Sequence, residues 1–294
     1  MQKKLVIAGA MVAVTVAIFA MALPTILHKA GLHPQLEERQ TFDLKGKRAL
    51  IITTSHAVLS KPGETVGKPT GVMASEFTHP YYEFLDAGMD VDIASIKGGQ
   101  IPVDPQTLLY FIRTPEDERY MKDDILQAKI NHSMKIDDVD FTEYDAVFMS
   151  GGWGAAYDLG QSVVLGRKIS EAYYAERPIM GSVCHGALGF IQATDNTGQS
   201  LINGRKMTGV SDKQVKELGI SITPLHPETE LRKAGALYSS ESAFRDFFAT
   251  HVVVDNEKRF VTGQNQNSGL ETAQEIMKLI SENLELISKN VRGD

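Results

Sequence analysis

The chain of 294 residues contains a single cysteine, Cys184. Its surroundings, Gly181-Ser182-Val183-Cys184-His185-Gly186, are where chemistry is to be sought first. An apolar run precedes the cysteine and a helix is expected to follow it. Small flanking residues let the backbone turn sharply there and lift the apical side chain clear of a sheet. Unpaired amides at a helix start favour a thiolate, and a thiolate attacks an electrophilic carbonyl carbon. The plain alternative is a buried cysteine packing as a small hydrophobe. The glycine two positions on, the adjacent histidine and the strand-to-helix placement favour the nucleophile.

Three further positions complete a proton-handling set. His185, beside the cysteine at a tight turn, can reach the same crevice, and it needs an acceptor on its far nitrogen to hold one tautomer. Asp212 follows the apolar segment Lys206–Val210, so it emerges at a strand's carboxyl end and can serve as that acceptor. It can also be a helix N-cap. Glu76 opens the first periodic helix, beyond the loop from Gly63 to Gly71. If it faces Cys184, one of the two must carry a proton, and a protonated Glu76 donates to the thiolate. In Gly151-Gly152-Trp153-Gly154, after another apolar run, backbone amides near Gly152 and Trp153 can approach a reacting carbon and hold a developing oxyanion. A plain glycine turn is the alternative, and the spacing is not that of a dinucleotide loop.

The elements that must position these groups follow an α/β rhythm. Apolar runs at Arg48–Thr54, Val91–Ile96, Ala146–Met149, Pro178–Met180 and Lys206–Val210 read as strands. A hairpin is expected from His251–Val254 and Phe260–Thr262 across Asn256. Helices are expected over Phe77–Leu85, with Gly88 as the stop, and over Val163–Ala175, Gly186–Ile191, Asp212–Leu218 and Leu270–Leu286. Such alternation predicts a mostly parallel sheet with helices on both faces, a flavodoxin-like sandwich, with function at the carboxyl ends of the strands. The pattern lapses from Gly98 to Phe141, which reads as an insertion over one sheet edge, with a short helix around Asp123–Ile130.

Composition narrows the classes. Hydrophobic residues make up 43% of the chain, enough for one large core spanning about 47–290. A net charge of −7 without a basic stripe argues against nucleic acid as a partner. One cysteine excludes an intramolecular disulfide framework and any CxxC metal or redox pair. His79 with Glu83, or His226 with Glu230, could supply two metal ligands, and His132 a third. Two ligands do not make a site, so neither a metal nor another cofactor is expected.

The N-terminus stands apart. Met1-Gln2-Lys3-Lys4 is basic, and residues 5–27 carry no charge, enough to cross a hydrocarbon layer of roughly 30 Å as a helix. Ala20-Met21-Ala22 also fits a signal-peptidase site, so cleavage near Ala22 competes with a permanent anchor. Either way the basic flank places the domain outside the cytoplasm, facing the periplasm or exterior. Residues 28–46 read as a polar stalk.

The chain resembles the DJ-1/PfpI superfamily, which shares its sandwich with class I glutamine amidotransferase domains, and within it the Hsp31-like group. The resemblance rests on Thr70-Gly71-Val72 with Glu76 and His79-Pro80, Gly88-Met89-Asp90-Val91-Asp92-Ile93-Ala94-Ser95, Gly151-Gly152, Val183-Cys184-His185-Gly186, and Val261-Thr262-Gly263-Gln264-Asn265. It runs from about residue 48 to 270. It implies Cys184 as nucleophile, His185 as its partner, Glu76 as the acid touching the thiol, Asp212 as the third member, and Gly152 in the anion pocket. Ala187 stands where the group's elbow usually has proline. Superfamily members often dimerise, so a homodimer is compatible with the resemblance. The function it implies is cofactor-free chemistry on small reactive carbonyls, glyoxalase III-like or deglycase-like, with a hemithioacetal at Cys184. The rivals are a membrane-anchored stress chaperone or cysteine redox sensor without turnover, and an amidase or peptidase.

Overall fold

Alternate residues of Arg48–Thr53 feed two different cores, which is why nearly all of this strand is apolar. Ala49 and Ile51 face one layer, Leu50 and Ile52 the other, and all four are fully buried. Ala146–Met149 repeats the division, with Phe148 on the first side and Val147 and Met149 on the second. A strand covered on both faces has no room for the polar alternation of a half-exposed sheet.

The computed structural model describes residues 2–32, 36 and 39–292. Its main sheet has seven strands, in the order Val252–Val254, Phe260–Gly263, Ile179–Val183, Ala146–Met149, Arg48–Thr53, Asp90–Ser95 and Met134–Lys135. All neighbours are parallel except Val252–Val254, which forms the expected hairpin with Phe260–Gly263. Helices Ala74–Asp86 and Gly269–Arg292 pack together on one face, and Val163–Tyr174 belongs to the other. This is the mostly parallel, flavodoxin-like α/β sandwich.

Three expectations change in detail. The 98–141 stretch holds the short helix expected around Asp123–Ile130, as Asp124–Asn131, but it adds the helix Pro115–Tyr120 and supplies the edge strand Met134–Lys135. The strand expected over Lys206–Val210 shrinks to Lys206–Met207 and leaves the main sheet, pairing with Leu237–Tyr238. Thr208 is instead tied to the sheet through its amide, which donates to Thr262 Oγ1 at 2.9 Å. The stalk is no free tether either. Leu32 and Leu44 are buried, Arg39 pairs with Glu83, and Gln40 N donates to Gln274 Oε1 at 3.1 Å. Residues 33–35 and 37–38 of that segment lie outside the described residues. The uncharged N-terminal stretch is one helix, Gln2–Lys29. Its apolar part, Val6–Leu27, is 22 residues long, and none of it is buried in the domain.

Candidate active site

Cys184 adopts φ = +58°, one of three non-glycine residues with positive φ among those described. A β-carbon in that region costs on the order of 1–3 kcal/mol and persists only where the surroundings over-determine it. Here they do. The strand Ile179–Val183 ends directly before the cysteine, and a 3-10 helix, Cys184–Phe190, begins at it. Gly186 presses against the Met149 carbonyl so closely that no β-carbon fits. The sharp turn expected from the sequence is therefore present, in tighter helical form.

The sulfur is not at an open mouth. Cys184 is 6% exposed and forms the floor of a cavity of about 250 Å³. His185 Nδ1 lies 3.4 Å from Sγ. The Glu76 carboxyl sits beside the thiol and the amides of Gly151 and Gly152, without closing a well-formed hydrogen bond to any of them. Gly151 is required at this contact, since a β-carbon there would stand 2.5 Å from Glu76 Oε2 and 2.7 Å from His185 N. Gly152 has φ = +84°, and its amide, with that of His185, points at the sulfur. Gly152 and Trp153 both line the cavity, as an anion pocket requires.

Burial governs the protonation states. It pushes the Cys184 thiol well above its ordinary value, Glu76 adds to the rise, and the His185 and Gly152 amides oppose it. The resting sulfur is a thiol, not the standing thiolate that a helix start suggested. Burial likewise raises Glu76 to about 8, so it is mainly protonated at neutral pH. His185 is held down to about 3 by burial and by His226, and is a neutral imidazole. His79 is also lowered to about 3, by burial and then by Arg39.

These shifts set an expected stability profile. Unfolded histidine takes up its proton near pH 6.5, whereas folded His79 and His185 resist it down to about 3. Their contribution is complete above pH 6.5 and is lost as the pH falls. Each removes up to about 1.4 kcal/mol per pH unit below that point. Between pH 7 and pH 5 the two rings together should cost roughly 2–4 kcal/mol, read as the narrowing difference in urea unfolding between the parent and a His79→Gln/His185→Gln variant, which cancels the opposite trend of Glu76; a constant difference would contradict neutral burial of both rings.

Asp212 is not brought to His185. Ser211 takes the N-cap position, its Oγ accepting from Gln214 N at 3.1 Å, which turns Asp212 outward as the first helical residue. Asp212 is exposed, and its carboxylate accepts from Thr229 Oγ1 at 2.7 Å. The residue that turns inward is Gln214, buried at the cavity wall, with Oε1 accepting from Asn265 Nδ2 at 3.2 Å. His185 Nε2 has no hydrogen-bond partner, nor does the buried Nε2 of His226. The cavity is otherwise walled mainly by apolar side chains: Met73, Ile112, Trp153, Val210, Leu218 and Phe247. Thr107 and Ile112 come from the 98–141 stretch, which therefore shapes the pocket. Gln214, Phe247 and Gln266 carried no sequence signal, because they sit on separate elements joined only by packing. Among the described residues no group of three His, Cys, Asp or Glu could hold a metal ion. His79 faces Thr114 and Glu116 instead.

The pentapeptide Val261–Asn265 leads into an amide clamp. Asn265 Nδ2 also donates to the carbonyls of Asp246 and Ala249, at 2.9 and 2.8 Å, and Gln266 Nε2 donates to Phe247 O at 3.1 Å. The clamp holds the segment around Phe247 over the cavity. Proteins of known sequence and structure resemble this chain over most of its length. Glyoxalase 3 of Candida albicans is 28% identical over 224 residues, covering 72% of this chain and 90% of that protein. The glutathione-independent glyoxalase HSP31 of Saccharomyces cerevisiae is 29% identical, covering 70% and 88%. Among solved structures, Rapid Encystment Protein 24 KDa of Francisella tularensis superposes with a TM-score of 0.72 at 32% identity, covering 80% of this chain and 99% of that one. Glyoxalase III of Candida albicans gives 0.69 at 27%, covering 79% and 97%. The DJ-1/PfpI family model matches residues 68–279, a span that holds the strained cysteine, its buried glutamate and the clamp over the cavity; the chain belongs to that family.

Proposed function

We propose that this protein converts 2-oxoaldehydes to 2-hydroxy acids without glutathione or any other cofactor. The observation that carries the reading is the meeting of three groups on one cavity floor: a strained cysteine, a neutral histidine 3.4 Å from its sulfur, and a buried glutamate of raised pKa. Similarity to the two glyoxalases supports the substrate class.

The steps balance within these residues. Cys184 Sγ bonds to the aldehyde carbon as its C=O π bond breaks, and the thiol proton passes through His185 to that oxygen. The hemithioacetal then loses its carbon-bound proton to a base, which returns it to the neighbouring carbon, while the hemithioacetal hydroxyl gives up its proton to the former ketone oxygen, so that the first oxygen becomes a carbonyl and the second a hydroxyl. The result is a thioester, which water cleaves to the 2-hydroxy acid while the sulfur regains its proton. Oxidation at one carbon equals reduction at the next, so no external electron carrier enters. Glu76 suits the carbon-to-carbon transfer better than His185 does. A base whose conjugate acid sits near 8 is far stronger than one near 3. The amides of Gly152 and Trp153, two residues that line the cavity, would hold the developing negative oxygen.

The test is methylglyoxal turnover by the full chain in the absence of glutathione, with the 2-hydroxy acid identified as product. No consumption above the buffer rate would end the reading. Because ionised Glu76 is the working base, kcat/KM should rise with pH up to about 8 and then level off. A flat profile from pH 6 to 9 would remove Glu76 from that role.

A further inference from the structure

The catalytic cavity and the end of the membrane-length helix share one piece of structure. Asn267 Nδ2 donates to Gly31 O at 2.7 Å and to Phe247 O at 3.0 Å. Gly31 lies against Phe248, and Leu32 is buried. Phe247 and Gln266, the immediate neighbours of these contacts, line the Cys184 cavity. The apolar span ends at Leu27, only four residues before Gly31. Four residues reach at most about 14 Å even when extended. A bilayer crossed by Val6–Leu27 would therefore lie directly beside the Phe247 edge of the cavity.

The rim and interior match such a neighbour. Phe244, three residues before Phe247, is 96% exposed. Leu109 and Tyr110, between the cavity-lining Thr107 and Ile112, are 44% and 52% exposed. Large apolar side chains bared within three residues of pocket-lining positions offer a contact surface. The cavity of about 250 Å³ also exceeds the needs of methylglyoxal. A cavity of about 150 Å³ already holds benzene, with six heavy atoms, whereas methylglyoxal has five.

We infer that the N-terminal helix anchors the chain with the cavity mouth against the bilayer, and that the site draws amphiphilic 2-oxoaldehydes with long alkyl chains from the lipid. The inference rests on the carbonyl chemistry proposed above and names its substrate class. The full chain, in phosphatidylcholine–phosphatidylglycerol vesicles, would be assayed with methylglyoxal and with 2-oxododecanal. The protein should float with the vesicles, and kcat/KM for 2-oxododecanal should be at least tenfold the methylglyoxal value. The rim variant Leu109→Glu/Phe244→Glu should lose most of that advantage while keeping its methylglyoxal rate. Methylglyoxal turnover with no preference for the long chain overturns the inference and leaves the carbonyl chemistry standing. So does an N-terminus removed near Ala22 with loss of flotation. Turnover of neither substrate overturns both.

Discussion

Cys184→Ala is expected to reduce methylglyoxal turnover by at least about a thousandfold while leaving the fold intact. Removing a nucleophile that acts as one unit with its proton partners costs several orders of magnitude. Nothing else on the cavity floor can replace it, since His185 is a neutral, weakly basic ring and Glu76 is mainly protonated. The substitution deletes one buried sulfur and keeps the β-carbon, so the strained φ of +58° is unchanged. A loss of about 1 kcal/mol in stability is expected, a few degrees in Tm. Circular dichroism and thermal melting would separate the two effects. If the alanine variant kept more than a tenth of the parental rate, Cys184 would not be the attacking atom. Cys184→Ser should fail nearly as completely, because a hydroxyl ionises far less readily than a thiol.

Glu76→Gln should give a protein that is more stable and much less active. The amide is nearly isosteric, so the packing against Gly151 survives. Proton transfer by a positioned carboxyl contributes typically about 10²–10⁴-fold, and turnover should fall within that range. Stability moves the other way. The unfolded carboxyl ionises near 4.5, but the folded one holds its proton to about 8. Its favourable contribution is complete below the lower value and is lost as the pH rises through the upper one, by about 1.4 kcal/mol per pH unit. At pH 8 the parent should therefore be several kcal/mol less stable than the glutamine variant, and the gap should narrow toward pH 5. The variant's thiol should also ionise at lower pH, because Glu76 helps hold Cys184 protonated. Thiolate absorbance against pH would record this. An unchanged thiol titration, or full activity, would separate Glu76 from the sulfur. Opposed directions, if measured, would mark the buried acid as serving chemistry at a cost to the fold.

Legibility followed the range of the interactions. The strand Arg48–Thr53, the helix Ala74–Asp86 with its stop at Gly88, and the hairpin about Asn256 were readable because neighbouring residues decide them. Cys184, His185 and the Gly151–Gly152 turn were readable for the same reason: tight turns need small residues at set positions. Asp212 misled because its place depends on one local competition, which Ser211 won for the N-cap, and on a strand that left the main sheet. The stalk misled because polar composition did not reveal Leu32 and Leu44 packed into the domain.

By itself, the order of residues determined the alternation of strands and helices, the apolar N-terminal helix and the cysteine at a sharp turn, all consequences of contacts within a few positions. Only the tertiary structure decided that the sulfur lies buried and protonated, that Gln214 and not Asp212 turns toward the cavity, and that the amide clamp links the pocket to the end of that helix. Desolvation and encounters between distant segments exist only once the chain has closed on itself, and they set the charge of every group at the site.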